Sequence, residues 1–372
     1  MRNVVLVFVV IVVVTLCGCK DPSLATSAES FLSSRSASAK NQSDGLKNDK
    51  VLASNNISNG SQVSKKAQTN PKLIFDTDIA EDCDDVGAMA VLHALADKGE
   101  LDILAMMVSM PVEYGAPALD AINTYFDRPD IPIGTLKNSQ DALGAANIDV
   151  YNKALTAKFP NDLKHAYYTP NALTLYRKLL ANQPDTSVVV LTVGPLTNLY
   201  HLMKSTGDEF SSLDGMELIR KKVKRFIMAG GKLPYGSSYN FRLSPEKSEY
   251  VINNWPTEHW LVPNELGDSV FTGVEMLSKT SAANPIHVAY DLYRKAHPGW
   301  EFRPSWDQMA VYIAARPDDP LFKVNTFGSV IAEKHLIRWT SVPDKNHIWF
   351  QNNSTRDERR RVIETLMSHQ PQ

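Results

Sequence analysis

The 372-residue chain is expected to fold as an α/β domain on an open, mostly parallel sheet flanked by helices. Three observations point there. From Pro71 onward, short apolar runs alternate with stretches of helical spacing, as repeated strand-helix-strand units produce. The run 187–193 is β-branched and apolar with no alternation, the pattern of a strand buried on both faces. Several strands also run out into glycine, proline or carboxylate turns, and in open parallel sheets ligands bind outside the carboxyl ends of the strands.

In order, a strand is expected at 73–75, a helix at 84–98, a strand at 101–108, a helix at 116–126 and a short strand at 131–133. Helices at 150–158 and 171–182 precede the buried strand 187–193. That strand stops at Gly194-Pro195, and Leu196-Thr197-Asn198-Leu199 opens a helix with proline near its first turn. The pattern repeats at 223–229, where a strand stops at Gly230-Gly231 and a polar loop runs to Asn240. Pro245-Glu246 begins a helix for which Ser244 is the expected N-cap. A further strand at 259–262 ends at Pro263-Asn264-Glu265, Trp306-Asp307-Gln308 leads a helix over 309–315, and 327–340 and 356–367 read as a β-hairpin and a closing helix. No internal repeat is found.

The stretch before this domain has a different character. Arg2 and the apolar run from Val4 to Val14 form a processing segment, too short to span a bilayer as a mature helix. Its end, Leu16-Cys17-Gly18-Cys19, resembles the lipobox of bacterial lipoproteins, which implies cleavage before Cys19 and lipid on that cysteine. Residues 20–70 are rich in Ser, Ala, Asn and Lys without period, and bury too little to offset their ordering entropy, so they are expected to be a disordered tether. The organisation expected is therefore a signal at 1–19, a tether at 20–70 and the domain at 71–372. Lys20 rather than aspartate follows Cys19, which favours an outer over an inner membrane, with the domain in the periplasm or outside the cell.

A net charge of -2 argues against a nucleic-acid partner. The densest positive run, Lys221-Lys222-Val223-Lys224-Arg225, reads as a solvated strand entry. With Cys17 removed and Cys19 lipidated, Cys83 is left alone and no disulfide is available. Acidic neighbours should raise its pKa and make it a poor nucleophile.

Those neighbours are the chain's most informative feature. The first strand empties into Asp76, Asp78, Glu81, Asp82, Asp84 and Asp85 just before a helix. Carboxylates this dense repel one another unless a cation or proton lies among them, and aspartate oxygens on a loop suit Ca²⁺ better than Zn²⁺. A charged surface loop with an aspartate helix cap is the plainer alternative. An EF-hand fails, because Glu81 falls where glycine is needed and Gly87 where glutamate is needed.

Four blocks in order resemble the nucleoside hydrolase family, in its bacterial lipoprotein branch, over residues 72–317: Asp76-Thr77-Asp78 with Asp84-Asp85; Thr192-Val193-Gly194-Pro195-Leu196-Thr197-Asn198-Leu199; Met228-Ala229-Gly230-Gly231 through Tyr239-Asn240-Phe241; and Trp306-Asp307-Gln308-Met309-Ala310. The resemblance implies a Rossmann-like core and a Ca²⁺-dependent hydrolase of the N-glycosidic bond of ribonucleosides. It further implies Asp78 as general base and metal ligand, and Asp76 as a neighbouring ligand or support. Asp85, the backbone carbonyl of Val193 and Asp307 would complete the metal shell. Asp84 and Asn240 would hold the ribose, with Asp82 available for either role because two extra residues precede the aspartate pair. Glu265 and Trp306 fall at strand or helix ends where they could touch substrate.

The sequence departs from the family at three points. Trp306 replaces the usual histidine, Ser238 an expected glutamate, and Ser109-Met110-Pro111 lacks the familiar asparagine. Trp306 would then stack on a base or pack in the core, and Tyr235, Tyr239, His287 or His297 would supply the leaving-group proton. Two other readings stand beside this one. A catalytically weak metal- and sugar-binding lipoprotein, or a hydrolase of another glycoside, fits the departures. A haloacid dehalogenase-like phosphatase fits Asp76-Thr77-Asp78 alone and leaves the later blocks unexplained. Homo-oligomers are left open.

Overall fold

Strands whose side chains alternate between two apolar layers make the centre of the molecule. Along the first of them, Leu73 and Phe75 join one buried cluster while Ile74 joins the other, as the two-residue period of a strand requires. The computed structural model describes residues 70–371 apart from Glu81, 139–148, 300–301 and 343–345. All of these lie in the unit Lys65–Gln372. The processing segment, Cys19 and the tether through residue 69 lie outside the described residues.

The chain runs β1 (Lys72–Thr77), α1 (Asp84–Asp97), β2 (Asp102–Val108), α2 (Gly115–Tyr125), β3 (Ile133–Thr135), α3 (Asn152–Lys158), α4 (Ala172–Asn182), β4 (Val188–Thr192) and α5 (Thr197–Lys204). It continues with α6 (Gly215–Lys222), β5 (Val223–Ala229), β6 (Tyr235–Ser237), α7 (Tyr239–Leu243), α8 (Pro245–Asn254) and β7 (Glu258–Val262). The remainder is β8 (Phe271–Thr272), α9 (Val274–Lys279), α10 (Pro285–Ala296), β9 (Arg303–Pro304), α11 (Trp306–Ala315), β10 (Phe322–Asn325), β11 (Ser329–Glu333), β12 (Leu336–Thr340), β13 (His347–Asn352) and α12 (Arg356–Met367).

Eight strands form one sheet in the order β10-β13-β7-β5-β4-β1-β2-β3, parallel throughout except that β10 is antiparallel to β13. Helices cover both faces, so the expected open, mostly parallel sheet is what the chain builds. No helix among the described residues is long and apolar enough to cross a membrane. A smaller sheet, β11-β12-β6, carries the expected hairpin and takes β6 out of the loop that leads to Asn240.

Two local expectations need correction. Ser244 stands at the N-cap of α8, but its side chain makes no capping bond, and its Oγ instead accepts from Thr197 Oγ1 at 3.3 Å. The basic run 221–225 straddles the end of α6 and the start of β5, so Lys221 and Lys222 complement the carboxyl end of a helix before the strand begins.

Candidate active site

The acidic loop leaves β1 and enters α1, whose first turn holds Asp84 and Asp85 near the positive end of the helix dipole. Helix α3 pins the loop from outside. Asn152 Nδ2 donates to the carbonyl of Ile79 at 2.8 Å, and Tyr151 OH to that of Asp82 at 2.5 Å. From β4, Gly194 closes against the same loop. A Cβ there would stand 2.9 Å from both the Asp78 backbone nitrogen and its Cβ, so this approach needs glycine.

Above these strand ends lies a cavity of about 530 Å³, a size that suits a small organic ligand. Asp78, Asp82, Asp84, Val193, Asn240, Trp306 and Asp307 all line it. Residues that follow three of the sheet's strands, β1, β4 and β5, together with the start of α11, thus meet in one place despite their distance in sequence.

Three predicted residues sit apart from the lining. Asp76 is fully buried, and its carboxylate accepts from Tyr176 OH at 2.8 Å and from Asn198 Nδ2 at 3.2 Å to each oxygen. With both oxygens engaged, it is placed to support the floor. Burial pushes its pKa up to about 7, and the three bonds from Tyr176, Asn198 and Ser109 pull the other way. Asp85 is 1 % exposed and accepts a hydrogen bond from Thr77 Oγ1. Glu265 was expected to face substrate, but the turn after β7 aims it behind the 230s loop, where Oε1 accepts from Leu233 N at 3.1 Å. Its neighbour Asn264 lines the cavity instead.

Asp78 and Asp307 differ from the site's other carboxylates in lacking partners among the described residues. Among the described residues, neither carboxylate accepts a hydrogen bond from another residue or pairs with a cation. Asp307 is 6 % exposed, and Asp78 keeps part of its surface open to the cavity. Burial, followed by repulsion from Asp82 and Asp84, holds the Asp78 pKa well above the usual carboxylate range. Burial raises Asp307 in the same way, followed by repulsion from Asp84, Asp85, Asp78 and Asp82. Asp85 is raised by burial and by Asp78.

In chemistry this donor set fits a hard divalent cation: carboxylates crowded by their own charge, two of them without partners among the described residues, and a backbone carbonyl at Val193. No three acidic, histidine or cysteine side chains among the described residues are yet drawn close enough to hold a metal ion. The Val193 carbonyl accepts a hydrogen bond from Asn240 Nδ2.

Sequence reasoning missed the cation in this site. Arg303 lines the cavity, donates from Nε to Asp84 Oδ1 at 2.8 Å, and pairs through Nη2 with Asp82. Burial works against its charge, but Asp84 and Asp82 outweigh burial and hold the guanidinium more firmly protonated than usual. Trp306 covers this arginine with its ring centre 4.9 Å from the guanidinium carbon, and its indole N–H donates to Asp268 at 2.8 Å. Tyr176, Asn198 and Thr77, which hold Asp76 and Asp85, were also missed. Asn198 lies inside a quoted block, whereas Tyr176 gives no local signal.

Of the expected proton donors, Tyr239 and His297 line the cavity. Tyr235 stands 63 % exposed on β6, and His287 shares a hydrogen bond with Thr280 Oγ1 at 3.0 Å outside the lining. His297 is held by a 3.0 Å bond from Nδ1 to the Tyr293 carbonyl and stacks on the Tyr293 ring at 4.3 Å. Cys83 is buried and its thiol is pushed up, chiefly by burial and then by Asp84.

No protein-family model and no curated protein matches the sequence. Solved structures do match the fold. The inosine-uridine preferring nucleoside hydrolase of Bacillus anthracis aligns at TM-score 0.57 and 16% identity, over 80% of this chain and 99% of its own. The purine-preferring ribonucleoside hydrolase of Gardnerella vaginalis aligns at TM-score 0.58 and 15% identity, over 80% and 99%. The type III effector XopQ, solved with adenosine diphosphate ribose, aligns at TM-score 0.60 and 11% identity, over 81% and 94%. Nearly the whole of each of those chains finds its counterpart here, and the protein has the nucleoside hydrolase fold.

Proposed function

We propose that this chain is a Ca²⁺-dependent hydrolase that splits ribonucleosides into base and ribose, held at the bacterial cell envelope by lipid on Cys19. The observation that carries the reading is the pair of carboxylates, Asp78 and Asp307, that have no partner among the described residues and face a cavity at the ends of the parallel strands. Asp78, Asp85, Asp307 and the Val193 carbonyl would hold the ion, which when bound orients sugar hydroxyls and acidifies water.

The chain's own residues divide the remaining work. Asp84 and Asn240 orient the ribose hydroxyls, while Met110, Ala229 and Leu243 keep bulk water from the cavity wall. Asp78 takes a proton from the attacking water as its oxygen bonds to the anomeric carbon and the carbon–nitrogen bond breaks. The departing base gains a proton from His297 or Tyr239. No covalent nucleophile is needed, which suits a buried Cys83 with a raised pKa.

A second reading is favoured by Trp306, whose N–H and ring are already committed to Asp268 and Arg303. Without a proton donor at that position, the cavity would serve a riboside with a better leaving group, or bind a sugar without cleaving it. The adenosine diphosphate ribose bound by XopQ is one ribose-containing ligand of that kind.

The test is reducing-sugar release by a soluble form beginning near Asn70, with purine and pyrimidine nucleosides, in Ca²⁺ and in chelator, alongside Asp78→Asn. Release that vanishes with chelator and in the variant supports the hydrolase. Intact nucleosides in the presence of bound Ca²⁺ favour the second reading.

A further inference from the structure

We infer that Arg303 is a built-in cation that reserves Asp82 and Asp84 from metal, confining the site to a single hard divalent ion on Asp78, Asp85 and Asp307. The inference rests on the metal part of the proposed function and goes beyond it by giving the unexpected arginine and the extra Asp82 a joint role as positioning residues.

The geometry carries it. Arg303 is 11 % exposed at the side chain, and all three of its guanidinium nitrogens are engaged: Nε with Asp84 at 2.8 Å, Nη2 with Asp82, and Nη1 with Tyr293 OH at 3.2 Å. Aromatic rings lie close to it, with the Trp306 ring centre 4.9 Å and the Tyr293 ring centre 5.6 Å from the guanidinium carbon, and Tyr293 is itself stacked on His297. Its backbone is fixed by antiparallel pairing of β9 with β8, Arg303 opposite Thr272. A rigid, desolvated guanidinium with a fork of donors is suited to hold two carboxylates in one orientation.

The charge arithmetic gives the reason. Asp78, Asp82, Asp84 and Asp307 line one cavity, and Asp85 is buried close enough to repel them, which is more negative charge than one divalent ion offsets. The same short segment delivers Arg303 to two of the carboxylates and Asp307 to the remainder. Asp84 thereby stays fixed for a neutral hydroxyl instead of swinging onto the ion. Trp306, which shields the arginine, gains a use that a histidine at that position would not fill.

The test is calorimetric titration of Ca²⁺ alone, with no nucleoside, into the soluble domain and its variants. Wild type should bind one ion per chain. Arg303→Met should take up a second ion or bind the first at least about tenfold more tightly. A folded Arg303→Met that binds one ion with a smaller gain, or with a loss, overturns the inference, as does a wild-type chain that binds none. If Arg303→Met does not fold, Asp82→Asn decides. Affinity within about threefold of wild type supports the reservation, and a loss of about tenfold or more puts Asp82 on the ion and overturns it. Ribose release, measured separately, reads the hydrolase alone. Intact nucleosides therefore leave this inference standing, and its failure in the variants leaves the hydrolase standing, whereas a wild-type chain that binds no Ca²⁺ removes both the inference and the Ca²⁺ dependence.

Discussion

Replacing Asp307 by asparagine should stabilise the metal-free protein while destroying its response to Ca²⁺. The wild-type carboxylate is 6 % exposed, has no hydrogen-bonding or cationic partner among the described residues, and is pushed up by burial and then by four aspartates. An isosteric amide removes the like-charge repulsion and the desolvated charge, a gain of about 1–3 kcal/mol at pH 8. The favourable pairing of a carboxylate with the first turn of α11 returns about 0.3–1 kcal/mol. The net expectation in chelator is about 0–3 kcal/mol of added stability, a Tm up to roughly 5 °C higher at about 2 °C per kcal/mol for a domain of this size. The gain should shrink toward pH 5. The raised folded-state pKa lets Asp307 take up a proton as pH falls, which relieves the unfavourable charge. In Ca²⁺ at a hundredfold excess over its dissociation constant, wild type should gain about 2.7 kcal/mol and overtake the variant, whose Tm should not move. Scanning calorimetry with and without Ca²⁺ at both pH values is the assay. A variant that is less stable than wild type in chelator would show that Asp307 has a partner, and the electrostatic account of the site would fail with it.

Three other outcomes are expected. His93 is buried against Phe126 with Nε2 on Asn123 Oδ1 at 3.0 Å, and burial lowers its pKa to about 3. The unfolded chain therefore binds a proton that the folded one refuses as pH falls from about 6.5 to 3, and stability should drop by up to about 1.4 kcal/mol per pH unit. Urea midpoints against pH should flatten in His93→Gln, and an unchanged slope would put the acid sensitivity elsewhere. Arg177, 2 % exposed, binds both Asp208 oxygens, Ser205 Oγ and the carbonyls of Ser211 and Leu213, so Arg177→Met should lose about 3–5 kcal/mol by urea unfolding; a loss under about 1 kcal/mol contradicts it. Gly194→Ala places a Cβ 2.5 Å from Ser109 Oγ and 2.9 Å from Asp78 Cβ, and the displaced base should cost about a hundredfold in ribose release; activity within about twofold of wild type would refute the close approach.

What the sequence made legible was local. Strand 223–229 and helix 356–367 stand where the sequence pattern put them, because one ends in the buried apolar run Phe226 to Ala229 and the other has Thr355 and Glu358 as a capping box. Strands β10 and β13 were not foreseen. Their side chains alternate only in part, as at Phe322 and Phe350, and the pairing that makes them strands comes from the sheet edge. Helix α10 also went unread, although Asn284 and Pro285 mark its start. In the site, carboxylates adjacent in sequence declared themselves, but Arg303 and Tyr176 touch them across 219 and 100 residues and have no local pattern. The one available hint was quantitative: the acidic loop holds more negative charge than one divalent ion offsets, which calls for a cation from elsewhere in the chain.

That spread in sequence also has a kinetic side. The cavity wall draws on residues from Asp78 to Asp307, so its pieces meet only after β1, β4 and β5 have paired and the segment carrying Arg303 has docked. Contacts formed so late contribute little to the barrier-crossing ensemble. An ion or sugar held there should therefore leave the refolding rate nearly unchanged and slow unfolding by almost its full binding free energy. Such a ligand would act as a brake on opening, lengthening the protein's lifetime while it is occupied.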